Sequence, residues 1–141
     1  MKLPDPAILE KVKQWLDYDD EDLRVARHGF SMPGNPPSRL IAFHAQQCAE
    51  KHLKAYLVFR GIDFPFTHNV RRLLDLCATY AAWAEQLRDA EELSPYASTA
   101  RYPGVDVEVS EAEARRAVQI AERVRETVTG ALGEEGLDIP R

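Results

Sequence analysis

The stretch Ser38-Arg39-Leu40-Ile41-Ala42-Phe43-His44-Ala45-Gln46-Gln47-Cys48-Ala49-Glu50-Lys51-His52-Leu53-Lys54-Ala55-Tyr56-Leu57-Val58-Phe59-Arg60-Gly61 decides the fold. It holds no proline and no internal glycine. Apolar side chains fall nearly all the way round its helical wheel: Leu40, Ile41, Phe43, Ala45, Cys48, Ala49, Leu53, Ala55, Leu57, Val58 and Phe59. A helix apolar on every side suits only a buried position, so this segment is the expected central element. Ser38 is the expected cap at its start, and Gly61 stands where a left-handed C-terminal residue is wanted.

Upstream, Asp5-Pro6 is a helix start, because Asp accepts from an orphan backbone N–H and Pro in the first turn loses nothing. That helix should run to about Arg27, with Ile8, Val12, Trp15, Leu16, Leu23 and Ala26 recurring at three- and four-residue steps. Gly29 and the run Met32-Pro33-Gly34-Asn35-Pro36-Pro37 end it. Downstream of Gly61, Thr67 or Asn69 caps a third helix carrying Val70, Leu73, Leu74 and Leu76 to about Tyr80, and a fourth spans about Ala82 to Leu93. Ser94 to Val105 reads as a loop, broken by Pro95, Pro103 and Gly104. Ser110 and Glu113 spell a capping box for a last helix with Ala114, Ala117, Val118, Ala121, Val124 and Val128. The expected organisation is one helical domain over residues 1–130 and a flexible tail over 131–141.

No alternating pattern longer than Val105-Asp106-Val107-Glu108-Val109 occurs, so the fold class is all-α, a bundle of about five helices. At 141 residues the size scalings allow about 7,400 Å² of folded surface against about 23,000 Å² unfolded. A core of that extent folds without staples. Cys48 and Cys77 are the only cysteines and lie in apolar stretches, which excludes a disulfide framework and a zinc finger. No run of 18 apolar residues occurs and the start Met1-Lys2-Leu3-Pro4-Asp5 is not apolar, so the expected location is cytoplasmic, with no membrane partner.

The net charge is −5, but Arg39 to Arg72 holds Arg39, Lys51, Lys54, Arg60, Arg71 and Arg72 against Glu50 and Asp63. That window is +4 and the rest is −9. An anion should therefore meet this window, while a pI near 5.4 makes duplex DNA a poor partner. At about 100° per residue, His44, Gln47, Lys51 and Lys54 share a narrow sector with Leu40, Phe43 and Val58. One reading has the lysines snorkelling past the core while His44 and Gln47 satisfy nearby backbone. The other is a convergent donor set on a rigid helix, able to close on a phosphate or carboxylate together with Arg101 from the loop.

Arg39 and His44 are the residue types of metal-independent RNA cleavage, yet five residues place them about 140° apart on a helix. They do not converge on one phosphate. His68 reads as a cap or turn residue. Asp17, Asp19, Asp20, Glu21 and Asp22 read as a solvated face, with Asp20 pairing Arg24. No glycine-rich phosphate loop, His pair at ligand spacing or nucleophile motif occurs, so neither a cofactor nor a metal is expected.

The run Phe43-His44-Ala45-Gln46-Gln47-Cys48-Ala49-Glu50-Lys51-His52-Leu53-Lys54-Ala55, then Gly61, Phe64-Pro65, Thr67-His68-Asn69-Val70 and Leu73-Leu74, resembles a HEPN domain. With Trp15-Leu16, Arg101-Tyr102-Pro103 and the Ala-rich last helix, the resemblance spans roughly residues 7 to 128. It implies an up-and-down bundle that usually dimerises and is often encoded beside a small nucleotidyltransferase, together resembling toxin–antitoxin pairs. Many such proteins are metal-independent ribonucleases using an Arg and a His four to six residues apart late in the domain. Here the nearest later Arg is Arg101 and no histidine follows His68, so the nuclease role does not carry over to Arg39 and His44. The resemblance implies a binding module for a nucleotide or a protein partner, with a ribonuclease acting on RNA as the alternative.

Overall fold

A computed structural model describes residues 3–99 and 108–139. Helix α1 spans Pro6–Gly29, α2 Ser38–Arg60 and α3 Val70–Ala78; a 3-10 helix covers Ala82–Leu93, α4 is the single turn Tyr96–Thr99, and α5 runs Glu111–Glu134. No strand occurs among the described residues. The all-α bundle read from periodicity is the observed class, with five helices longer than two turns.

The helix starts are chemical. Asp5 Oδ1 accepts from the Ala7 and Ile8 amides at 3.0 and 3.1 Å, directly ahead of Pro6. Ser110 Oγ accepts from the Glu113 amide while the Glu113 carboxylate accepts from the Ser110 amide, completing the capping box. Asn69 Oδ1 caps α3, and Thr67 Oγ1 accepts from the Asn69 amide. Gly61 closes α2 at φ +70°, the left-handed conformation for which only glycine pays no Cβ penalty. Ser38 is not the cap of α2: Pro37 occupies that position, and Ser38 is the first helical residue, its hydroxyl turned back to the Pro36 carbonyl.

Helix α2 is the axis of the molecule, in contact with α1, α3, the 3-10 helix, α4 and α5. Ile41, Ala42, Ala45, Cys48, Ala49, Leu53, Ala55 and Leu57 are all but sealed from solvent. Helix α1 returns antiparallel beside it, since Gly29 lies at Ile41, Asp22 at His44 and Lys51, and Asp19 at His52. A Cβ at Gly29 would sit 2.5 Å from Ile41 Cγ1, so this glycine sets the approach of the two helices. On the other side of α2, Val124, Val128 and Leu132 bring α5 into the core.

Three expectations change at the C-terminal half. The segment Ala82–Leu93 is helical but of the tighter 3-10 form, with a break in helical geometry at Leu87. The stretch from Ser94 begins with the turn α4 rather than open loop, and the remainder, 100–107, lies outside the described residues, as does the Val105–Val107 part of the alternating segment. The chain does not fray after Gly130: α5 continues to Glu134, and Leu132 and Leu137 are buried. Glu135 anchors this end to α2, accepting from the Tyr56 hydroxyl at 2.9 Å and from Arg60 Nη1 at 2.7 Å.

Candidate functional site on the central helix

The stripe of polar residues on α2 is real, and each of its described members already has a partner. His44 Nδ1 lies 2.9 Å from Asp22 Oδ1, and Lys51 Nζ donates to Asp22 Oδ2 at 2.6 Å. One carboxylate from α1 thus holds two donors that lie two turns apart on the same face of α2. Because a carboxylate only accepts, His44 Nδ1 carries a proton, so a neutral imidazole here has its lone pair on Nε2, which has no partner among the described residues.

Further along, Gln47 Nε2 donates to Gln46 Oε1 at 2.6 Å, and Gln46 Nε2 donates to Glu50 Oε1 at 2.9 Å. Lys54 Nζ donates to Glu50 Oε2 at 2.9 Å, and His68 Nδ1 meets Glu50 Oε1 at the same distance. Burial of Glu50 disfavours its charge, yet the hydrogen bonds from Lys54, Gln46 and His68 more than offset this and hold its carboxyl below the usual range. The Lys54 ammonium sits 5.9 Å from the ring centres of both Phe64 and Phe66.

The structure therefore divides the expected set. His44 and Lys51 converge on Asp22; Gln47 and Lys54 belong to the network around Glu50; Arg101 lies outside the described residues. His68 is a partner of Glu50 and not only a turn residue. Arg39 is exposed and makes no ion pair among the described residues.

The acidic run of α1 is not one solvated face. Asp22 keeps 13% of its side-chain surface and Asp19 none. Asp20 pairs across the bundle with Arg125 at 2.8 Å instead of with Arg24. Asp19 lies against His52, itself sealed, with Asp19 Oδ2 3.3 Å from His52 Nδ1. His52 Nδ1 also lies 2.9 Å from the Cys48 carbonyl, and that carbonyl requires the proton on Nδ1. Both Asp19 oxygens and His52 Nε2 are buried without a hydrogen bond. Burial drives the Asp19 carboxyl well above its ordinary range and pushes the His52 imidazole down to about 4, so both groups prefer to be neutral. Burial also raises the thiols of Cys48 and Cys77, the latter to about 12, which fits their reading as core residues.

Sequence reasoning missed Asp19, Asp22 and Glu50, and two of them carried a signal. Asp19 continues the spacing of Val12, Leu16, Leu23 and Ala26, the buried face of α1. Glu50 stands four residues from both Gln46 and Lys54, the separation at which helical side chains meet. Among the described residues, no group of three His, Cys, Asp or Glu has the arrangement to hold a metal ion, and no helix is long and apolar enough to cross a membrane.

The HEPN domain family model matches residues 12–132. Two solved structures share the fold: ST0689, an archaeal HEPN homologue, at 29% identity over 86% of this chain and 97% of its own, with a TM-score of 0.66, and TT1696 from Thermus thermophilus, at 25% identity over 85% and 97%, with a TM-score of 0.69. No curated protein matches. The chain belongs to the HEPN domain family.

Proposed function

We propose that the chain is a binding subunit without chemistry of its own, pairing with itself and with a protein partner, for which the HEPN resemblance suggests a small nucleotidyltransferase in a toxin–antitoxin-like pair. The observation that carries this reading is the neutralisation of the α2 stripe from within. Asp22 takes up Lys51 and His44, and Glu50 takes up Lys54 and His68, so the stripe offers polar groups but little surplus charge. A nucleotide phosphate entering there must displace a carboxylate of the same chain, whereas a protein surface can bury an already neutral cluster at small electrostatic cost. Nucleotide binding through His44, Gln47, Lys51, Lys54 and Arg101 is then the weaker half of the expectation. A thermal-shift panel of nucleotides at low salt tests it. Under the binding-subunit reading the melting temperature does not move, while a shift of several degrees at saturating nucleotide restores the nucleotide site.

One observation favours the ribonuclease alternative. Asp22 fixes the His44 tautomer and leaves Nε2 with a free lone pair, which is how a carboxylate prepares a histidine to take a proton. Incubating the purified protein with RNA in chelator separates the readings. Cleavage that disappears in both His44→Ala and Arg39→Ala establishes the enzyme, and intact RNA removes it.

A further inference from the structure

Helix α1 carries on its outward side charged or ionisable residues that nothing in the described chain answers. The side chains of Asp17, Glu21, Arg24 and His28, like those of Glu10, Lys11 and Lys13 nearer the start of the helix, are exposed and form no ion pair or hydrogen bond among the described residues, although Asp20, Asp22 and Arg27 on the same helix are all paired. At about 100° per residue Asp17, Glu21, Arg24 and His28 fall within a sector of about 60°, with Glu10 in line about two turns before Asp17. Their order is acid, acid, base, base. Between this row and Asp22, which faces α2, lie Tyr18 and Val25, exposed to 60% and 52%. Glu21, Arg24, Val25 and His28 also line an open cleft of about 830 Å³.

We infer that this face of α1 is a docking surface for a second copy of the chain, with the two α1 helices antiparallel about a two-fold axis between residues 22 and 23. The inference rests on the self-pairing part of the reading above and assigns its surface. The argument is symmetry: Glu21 and Arg24 are equidistant from that point, and so are Asp17 and His28. An antiparallel copy therefore brings each acid level with a base of its partner, four opposed pairs in all, whereas a parallel copy would set acid beside acid. The same operation places Val25 of one copy within two residues' rise, about 3 Å along the axis, of Tyr18 in the partner copy. An apolar row thus runs beside the charged one, as a specific interface requires.

Sedimentation of the full chain with charge-reversed variants tests this. All the substituted side chains are exposed and unpaired, so the fold should persist, and an unchanged far-ultraviolet spectrum and melting profile check that. Expected is a dimer for the unaltered chain, weakened at least tenfold by Glu21→Arg alone and by Arg24→Glu alone. Mixing these two single variants should restore a dimer, since each then presents at residues 21 and 24 the sign its partner lacks, and the double variant should pair with itself. A chain that stays at 16.0 kDa at tens of micromolar overturns the self-pairing reading and this face together. A dimer indifferent to both reversals, or one not restored by mixing, overturns the face alone.

Discussion

Asp19 and His52 approach to 3.3 Å in the seam between α1 and α2, and neither exposes any side-chain surface. Each stands at a core position of its own helix, and each leaves polar atoms without a hydrogen bond. Such a pair is held in place by the surrounding apolar contacts and does not itself hold the helices together, because removing two polar groups from water costs more than one long contact returns.

The first prediction concerns pH. His52 is harder to protonate in the folded chain, so its burial costs stability as pH falls from about 6.5 towards 4. Asp19 holds its proton more tightly in the folded chain, so stability falls as pH rises above the ordinary carboxylate range. Above the ordinary carboxylate range the two effects therefore oppose each other. Denaturant titrations of the unaltered protein and of Asp19→Asn, compared at each pH, separate them. Asp19→Asn carries no carboxyl to ionise, so its stability relative to the unaltered protein should rise as pH rises above the ordinary carboxylate range. A variant that loses stability at pH 8 would show instead that the ionised carboxylate is needed in the seam.

The second prediction concerns the stripe. Asp22→Asn removes the charge that occupies Lys51 while leaving a side chain of the same shape. The variant should lose about 1 kcal/mol or less, because both donors keep access to water. It should also gain affinity for anions: inorganic phosphate or a nucleotide at low salt should raise its melting temperature where the unaltered protein is indifferent, and added salt should erase the difference. Equal shifts in both proteins would place anion binding away from Lys51.

The third prediction tests the approach of α1 to α2. Gly29→Ala puts a methyl group 2.5 Å from Ile41 Cγ1, a separation that forces the side chain or the helix to move. Overpacking of this kind costs about 1 to 3 kcal/mol. Ile41→Ala alone should also destabilise, through the cavity it leaves, but the double variant should lose less than the two losses added, since each change relieves the other. Strict additivity in chemical denaturation would place the strain elsewhere.

These cases show where a sequence is legible. The cap at Asp5, the box at Ser110 and the glycine at 61 are local, and each is readable because the group it satisfies lies within a few residues, while the all-round apolar surface of α2 is readable from its composition alone. Lys51 and His44 are readable as donors but not as a pair already answered, because Asp22 reaches them from another helix and only packing sets that distance. Asp19 misleads for a different reason. Its spacing places it with Val12, Leu16 and Leu23, and its charge argues for solvent; helix geometry prevails, and burial raises the carboxyl well above its ordinary range. The 3-10 winding of Ala82–Leu93 has no sequence signal.

The last prediction follows from the C-terminal end. Gly130 and Gly133 each cost a helix about 1 kcal/mol, which favours an ending near residue 130. Burial of a leucine is worth about 1.5 to 3 kcal/mol, and both Leu132 and Leu137 are buried, so burial outweighs the glycine penalty and the helix continues. The Leu137 amide donates to the Leu132 carbonyl at 2.9 Å, folding the chain back at Gly136, whose φ of +105° suits glycine. Leu137→Ala should therefore cost about 2 to 5 kcal/mol, the range for a core leucine, although it lies only four residues from the end of the chain. Glu135→Ala should cost about 1 to 3 kcal/mol, because it takes the acceptor from the hydroxyl of Tyr56, a side chain all but sealed from solvent, while Arg60 keeps access to water. Removal of residues 131–141 should lower stability by at least as much as Leu137→Ala. If the truncated chain melts with the full one, the last turn of α5 contributes nothing to the core.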